Sequence, residues 1–271
     1  NYERSRKLEN MERKITNQAL ATGNFTSPET LQQMQEILKH PLISNENDIA
    51  AYSLKQQILA YGIYSRFHLY AGEYTQSEKY FSKLIAITES IPGEVNENSG
   101  GYISNLNNYL SVLFNLKLYG KAEEAIEKIK NTVCRTSVEK VRQFTLSSLN
   151  SLSLYNITAQ YEKAVTMLPA MEISLEVFQG KIHPQFVIVI NLESCTVCFG
   201  SRNYPLALKY LNKALDLLSA YPERTDLHCG ASLLNLIIHF EMQNYELIGY
   251  LARSAYRALL KKGKLYRFEE L

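Results

Sequence analysis

One pattern of apolar and small residues recurs along the chain, and it is clearest between residues 202 and 215. There Tyr204, Ala207, Leu211 and Ala214 are spaced three, four and three residues apart. This spacing places them on one face of a helix with about 3.6 residues per turn. Related patterns are Tyr74, Ser77, Phe81, Leu84; Tyr161, Ala164, Leu168, Met171; and, in degenerate form, Ala122, Ala125, Ile129 and Tyr245, Ile248, Ala252, Ala255. The pattern predicts a helical repeat.

The breaks between periodic segments predict paired helices. An amphipathic helix is expected over residues 2–22, and Ser27 and Pro28 are typical of the start of a second helix that ends near residue 39. The expected later pairs are 48–71 with 74–90, 102–118 with 121–133, 137–157 with 161–178, 183–200 with 204–219, and 226–242 with 245–262. Residues 91–101 are rich in glycine and asparagine and predict the longest loop. The β-prone run 186–190 falls where the repeat requires a helix, so we expect a helix there.

A single amphipathic hairpin cannot bury its apolar face alone and must stack on its neighbours. We therefore expect an all-α fold, a right-handed superhelical solenoid of about six helical hairpins that occupies residues 1–271 as one domain. Residues 1–47 would form a divergent N-terminal hairpin, the clearest repeats would lie at 48–262, and the C-terminus would be truncated. The first helix of each pair would line a concave surface.

The order of small and aromatic residues in these pairs resembles tetratricopeptide repeats over about residues 48–262. Gly72 and Gly120 match the turn of that family, Ala125, Ala164 and Ala207 its alanine, Phe81 its aromatic residue, and Pro92 and Pro222 its closing proline. The chain departs from the family in having no tryptophan, and its marker positions 74, 122, 161, 204 and 245 are 48, 39, 43 and 41 residues apart, against about 34 in the family. The resemblance implies protein or peptide binding and does not identify the partner.

Four predicted first helices carry an apolar residue followed by asparagine. The asparagines are Asn107, Asn150, Asn191 and Asn235. Because asparagine offers both a donor and an acceptor, a row of them could bind the backbone of an extended peptide. In this respect the chain is similar to the peptide-binding repeat domains of bacterial quorum-sensing receptors. Alternatively, these side chains cap or bridge adjacent helices.

The C-terminal segment carries the strongest charge run, with no acidic residue between positions 246 and 269. Arg253, Arg257, Lys261 and Lys264 share one helix face. A phosphate group or an acidic segment could bind there, and a solvated outer face is the alternative. Apolar residues at 265, 268 and 271 begin a further stripe, which would favour self-association through the C-terminal end.

Composition and motifs limit the possible partners, location and catalytic chemistry of the protein. A net charge of +2 argues against nucleic-acid binding, four scattered cysteines favour a cytoplasmic location, and no apolar run approaches the roughly 20 residues of a membrane span. Cys195 and Cys198 have the spacing of half a zinc site or of a thiol redox pair. Their apolar helical surroundings favour simple burial. Since phosphate-loop, nucleophile-elbow and zinc-protease motifs are absent, we expect no catalytic residue, no metal and no cofactor.

The sequence therefore predicts a non-catalytic protein–protein interaction scaffold that binds a peptide or partner segment. The alternative is a ligand- or peptide-sensing domain of a larger transcription regulator or signalling protein. The full-length gene would separate the two, because a DNA-binding or kinase domain attached at either end would favour the sensor.

Overall fold

The computed structural model describes residues 2–262, which form helices and no strand, so the all-α prediction is confirmed. The helices are α1 (Tyr2–Thr22), α2 (Pro28–Leu38), α3 (Glu46–Ile49), α4 (Leu54–Tyr70), α5 (Tyr74–Ser90), α6 (Glu94–Glu97), α7 (Ser99–Asn115), α8 (Tyr119–Asn131), α9 (Ser137–Ile157), α10 (Tyr161–Val177), α11 (Pro184–Gly200), α12 (Tyr204–Leu218), α13 (Thr225–Glu241) and α14 (Tyr245–Lys262). The chain divides into unit 1, residues 1–143, and unit 2, residues 144–271, with the boundary inside α9. No helix in the described part of the chain is long and apolar enough to cross a membrane.

Unit 1 is built from neighbouring helices that pack in sequence order. Helix α4 packs on α5, α7 packs on α8, and α5 also contacts α7. The N-terminal helix α1 lies against α4. The core between these helices holds fully buried side chains such as Ile63, Phe81 and Leu110.

Unit 2 repeats the same pairing. Helix α11 packs on α12, α13 packs on α14, and α12 also contacts α13. The part of α9 in unit 2 lies along α10, because the Phe144 and Phe178 rings are 5.5 Å apart and the Lys163 ammonium group lies 4.9 Å from the centre of the Tyr155 ring. We call α4, α7, α9, α11 and α13 the first helices, and α5, α8, α10, α12 and α14 the second helices.

The turns within the five pairs share one geometry. Each second helix begins at a tyrosine, and the residue two positions earlier has a positive φ. These residues and φ angles are Gly72 (76°), Lys117 (57°), Ala159 (54°), Arg202 (60°) and Gln243 (60°). In the fourth turn the Arg202 amide donates to the Phe199 carbonyl and the Asn203 amide donates to the Cys198 carbonyl, both at 2.9 Å. This is the Schellman arrangement that ends a helix.

The shared turn corrects two sequence predictions. Gly120 does not form the turn, because it lies inside α8 and the left-handed residue is Lys117. The repeat therefore begins at Tyr119 and not at Ala122. The true markers 74, 119, 161, 204 and 245 are 45, 42, 43 and 41 residues apart, which is more regular than the predicted spacing.

Two predicted boundaries are also wrong. The helix expected over 48–71 is two helices, α3 and α4, because Asn45 caps α3 through a 3.1 Å bond from the Asn47 amide and residues 50–53 leave the helical path. The loop expected over 91–101 contains α6 and the start of α7. The other bounds agree to within three residues, and the β-prone run 186–190 is helical as predicted.

Candidate partner-binding surface

Polar bridges join successive first helices. In unit 1 the Arg66 guanidinium group of α4 donates to the Glu12 carboxylate of α1 and to the Asn105 side-chain oxygen of α7, each at 2.6 Å. The Arg66 side chain is only 11% exposed. Gly62 leaves room for this contact, because a Cβ atom at that position would lie 2.9 Å from both Arg66 and Glu12. Burial raises the pKa of Glu12 even though Arg66 lies beside it.

The corresponding bridge in unit 2 joins α9 to α11. The Asn156 amide of α9 donates to the Glu193 backbone carbonyl of α11 at 3.3 Å and also to the Glu193 carboxylate. Burial raises the pKa of Glu193, and the hydrogen bonds from Asn156 and Ser153 oppose the rise only in part. No lysine, arginine or histidine of the described residues pairs with this carboxylate. Unlike Glu12, Glu193 therefore has no cationic partner among the described residues.

Apolar side chains share a helix face with this bridge or lie next to it in the sequence. Phe186 and Val189 precede Glu193 on α11 by seven and four residues and so share its helix face. The Phe186 side chain is 44% exposed, and Ile157, next to Asn156 on α9, is 52% exposed. We call the set Leu149, Asn156, Ile157, Phe186, Val189 and Glu193 the Glu193 surface.

The bridge brings together residues 37 positions apart, about one repeat. Leu149 and Phe186 lie seven residues before Asn156 and Glu193 in their own helices, so each shares a helix face with one residue of the bridge. Apolar residues therefore lie on the same helix faces as both bridging side chains.

Two of the predicted asparagines bond within their own helices, and binding of a partner by the four asparagines stays a prediction. The Asn150 and Asn191 amides donate to the carbonyls of Leu146 (2.7 Å) and Val187 (2.8 Å), one turn earlier in their own helices. Asn107 lies on α7 in unit 1, and it interacts with another residue of the chain. Asn235, on α13, is half-buried.

The other predicted chemical groups are placed as follows. Cys195 and Cys198 are free thiols that are fully buried in α11, and this burial raises the pKa of each to about 12. The described residues contain no group of three side chains placed to hold a metal ion.

The predicted basic surface is described only in part. Arg253 and Arg257 are exposed on α14, whereas Lys264 and the side chain of Lys261 lie outside the described residues. Self-association stays a prediction; α13 and α14 do expose several large apolar side chains, namely Ile237, Phe240, Tyr245, Leu247 and Tyr250.

Sequence reasoning missed the bridges between second helices. Glu78 of α5 accepts hydrogen bonds from Lys121 of α8 at 2.8 Å and from the Tyr109 hydroxyl at 3.0 Å. Glu172 of α10 pairs with Lys213 of α12 at 2.7 Å. The sequence holds a signal for these contacts, because each lysine follows its glutamate by about one repeat. Lys121 and Lys213 are thus each paired with a carboxylate of the preceding second helix.

Comparison of the chain with protein-family models, with curated proteins and with solved structures finds no match in any of the three.

Proposed function

We propose that this protein is a non-catalytic protein-interaction module and that unit 2 binds a partner segment on the Glu193 surface. One observation carries the proposal: Glu193 is a partly buried carboxylate with no cationic partner among the described residues, it shares a face of α11 with the exposed Phe186, and it bonds to α9, where Ile157 is exposed. Binding through the first helices is also what the resemblance to tetratricopeptide repeats implies.

The charge of Glu193 indicates the chemistry of the partner. A partly buried carboxylate is costly unless it is paired, and a lysine or arginine side chain of the partner would supply the missing cation. The interhelical carboxylates Glu12, Glu78 and Glu172 already have such partners within the chain. Glu193 is therefore the carboxylate best placed to select a basic side chain.

The apolar border would supply most of the binding free energy. Burial of apolar surface contributes about 25 cal/mol per Å² removed from water, and Phe186 and Ile157 are both large and roughly half exposed. We expect the bound segment to carry a basic residue flanked by apolar residues, in an extended or helical conformation. The asparagine amides at 150 and 191 would contribute less, because they already bond within their own helices.

A peptide selection tests this function without a known partner. Random dodecapeptides displayed on phage would be selected against the full chain, and the enriched sequences would be synthesised and measured by fluorescence anisotropy. Phe186→Ser and Glu193→Gln should each weaken binding at least tenfold, which is about 1.4 kcal/mol. Matched controls are Ile173→Ser and Glu176→Gln, since both residues are exposed on α10.

The controls should bind within twofold of the original chain. Enriched peptides that lack basic residues would contradict the role of Glu193. Equal weakening by the α10 controls would contradict the location of the site, and circular dichroism of each variant would verify that it is folded.

A further inference from the structure

A second candidate site lies in unit 2, in a cleft of about 390 Å³ between α13 and α14. Polar and aromatic side chains of both helices line it. They are Thr225, His228 and Ser232 from α13, and Tyr250, Ser254 and Arg257 from α14. No described residue that lines the cleft is acidic. The cleft is separate from the Glu193 surface, which belongs to α9 and α11.

Three serine and threonine hydroxyl groups line the cleft. Serine and threonine hydroxyls in helices commonly donate to the carbonyl one turn earlier, as Ser194 does to Ile190 at 2.7 Å and Thr196 does to Leu192 at 3.0 Å. Some helical hydroxyls elsewhere in the described chain differ; those of Ser99 and Ser151, for example, are buried without a hydrogen-bond partner. The hydroxyls of the three cleft residues make no hydrogen bond to any described residue; they are Thr225, Ser232 and Ser254. Three donors are thus available at one place.

Arg257 supplies the charge. Its Nε–H donates to the Arg253 backbone carbonyl at 3.2 Å, which holds the side chain along α14 and leaves both terminal nitrogens of the guanidinium group without an acceptor among the described residues. The lysines of α12 differ, because Lys209 and Lys213 both pair with Glu172. The His228 Nε2–H donates to the Tyr221 carbonyl at 3.2 Å, so this ring is held in place at the edge of the cleft.

We propose that the cleft between α13 and α14 binds an oxyanion, either the phosphate or the carboxylate group of a ligand. A guanidinium group binds both through paired N–H donors, and such charge-assisted bonds are roughly twice as strong as neutral ones. The three free hydroxyls would donate to the remaining oxygens. The exposed Tyr250 ring would pack against the part of the ligand that carries the anion.

Anion titrations of the full chain test this site. Inorganic phosphate and acetate would be added separately at low ionic strength, and binding would be followed by isothermal calorimetry and by amide chemical shifts of α13 and α14. We expect saturable binding of at least one anion. Arg257→Gln should weaken it at least tenfold, and the double substitution Ser232→Ala with Ser254→Ala should weaken it by about fivefold, as expected for two lost hydrogen bonds.

The matched control is Arg253→Gln, which removes the same charge from the same exposed helix four residues earlier. It should leave the affinity within twofold. Equal loss in both arginine variants would overturn the proposal, because it would show general charge attraction, and so would the absence of saturation in the unaltered chain. Tighter binding of phosphate would identify a phosphate ligand, and tighter binding of acetate a carboxylate ligand; either result supports the site.

Discussion

The left-handed turn residues show how single positions set the geometry of each helical pair. Gly72 adopts its φ of 76° without strain, and nothing lies within 4 Å of where a Cβ atom would be, so backbone conformation and not space favours glycine there. Lys117, Ala159, Arg202 and Gln243 adopt the same conformation with a side chain present. For such residues the left-handed region costs roughly 1–2 kcal/mol.

Replacing Ala159 by glycine should therefore stabilise the protein. Relief of the strained φ of 54° outweighs the greater freedom that glycine gives the unfolded chain, and we expect the free energy of unfolding to rise by about 0.5–1 kcal/mol. Urea denaturation followed by circular dichroism measures the change. The matched control Ala252→Gly, at an exposed position inside α14, should have the opposite sign and cost about 1 kcal/mol. A loss of stability in Ala159→Gly would contradict the turn geometry.

These turns also mark a limit of sequence reasoning at the residue scale. Glycine is the usual signal for a left-handed residue, so the sequence analysis assigned the turn to Gly120. The residue with the left-handed conformation is Lys117. Residue type records only an intrinsic preference, whereas hydrogen bonds to the preceding helix and packing of the pair impose the conformation. Four of the five turns have no glycine at the left-handed position and could not be located from composition alone.

Glu193 should reduce stability near neutral pH, because burial penalises its ionised form. A raised pKa in the folded state means that the charged form destabilises the fold above that pKa, and that the penalty disappears as pH falls below the unfolded value of about 4.5. Glu193→Gln should therefore raise the midpoint of urea denaturation at pH 7 and leave it unchanged near pH 3. A lower midpoint at pH 7 would show that the ionised carboxylate stabilises the fold.

At the scale of whole helices, the bridges between second helices and neighbouring elements predict the opposite pH dependence. Burial raises the pKa of Glu46, but hydrogen bonds from Lys83 and Lys79 outweigh that effect and lower the pKa to about 2. The stabilisation is thus present above the unfolded pKa of about 4.5 and is lost as pH falls toward 2. All three side chains are about a third or more exposed, so solvent screening limits their contribution to about 1 kcal/mol.

Glu46→Gln tests this bridge in unit 1. Stability should fall by about 1 kcal/mol at pH 7, and the difference from the unaltered chain should shrink between pH 5 and pH 2. Urea denaturation at several pH values measures it. Glu36→Gln serves as the control, because Glu36 pairs only with Lys39 of its own segment, and should change stability by no more than a few tenths of a kcal/mol. A pH-independent loss in Glu46→Gln would indicate a packing effect instead of a charge effect.

For the molecule as a whole, periodicity predicted the helices and could not predict their contacts. Tyr204, Ala207 and Leu211 revealed a helix face because burial imposes a local period that a single segment displays. The bridge between Asn156 and Glu193 joins residues 37 positions apart. The sequence around either residue carries no pattern that predicts this contact. The carboxylate without a cation, on which the proposed function depends, is a property of that tertiary contact and is absent from any local pattern.

The last prediction concerns how far a packing defect spreads. Ala207 is fully buried in α12, which contacts α11 and α13 within unit 2. A leucine at that position would overpack the contact and should cost roughly 1–3 kcal/mol. In arrays of stacked helical pairs, stability depends mainly on each pair and its nearest neighbours. Hydrogen exchange of Ala207→Leu should therefore show reduced amide protection in α11, α12 and α13, with α4 and α5 of unit 1 unchanged. Ala252→Leu, at an exposed position, should change protection by less than about 0.5 kcal/mol throughout. Equal loss of protection in α4 and α5 would show that the chain unfolds as one cooperative body.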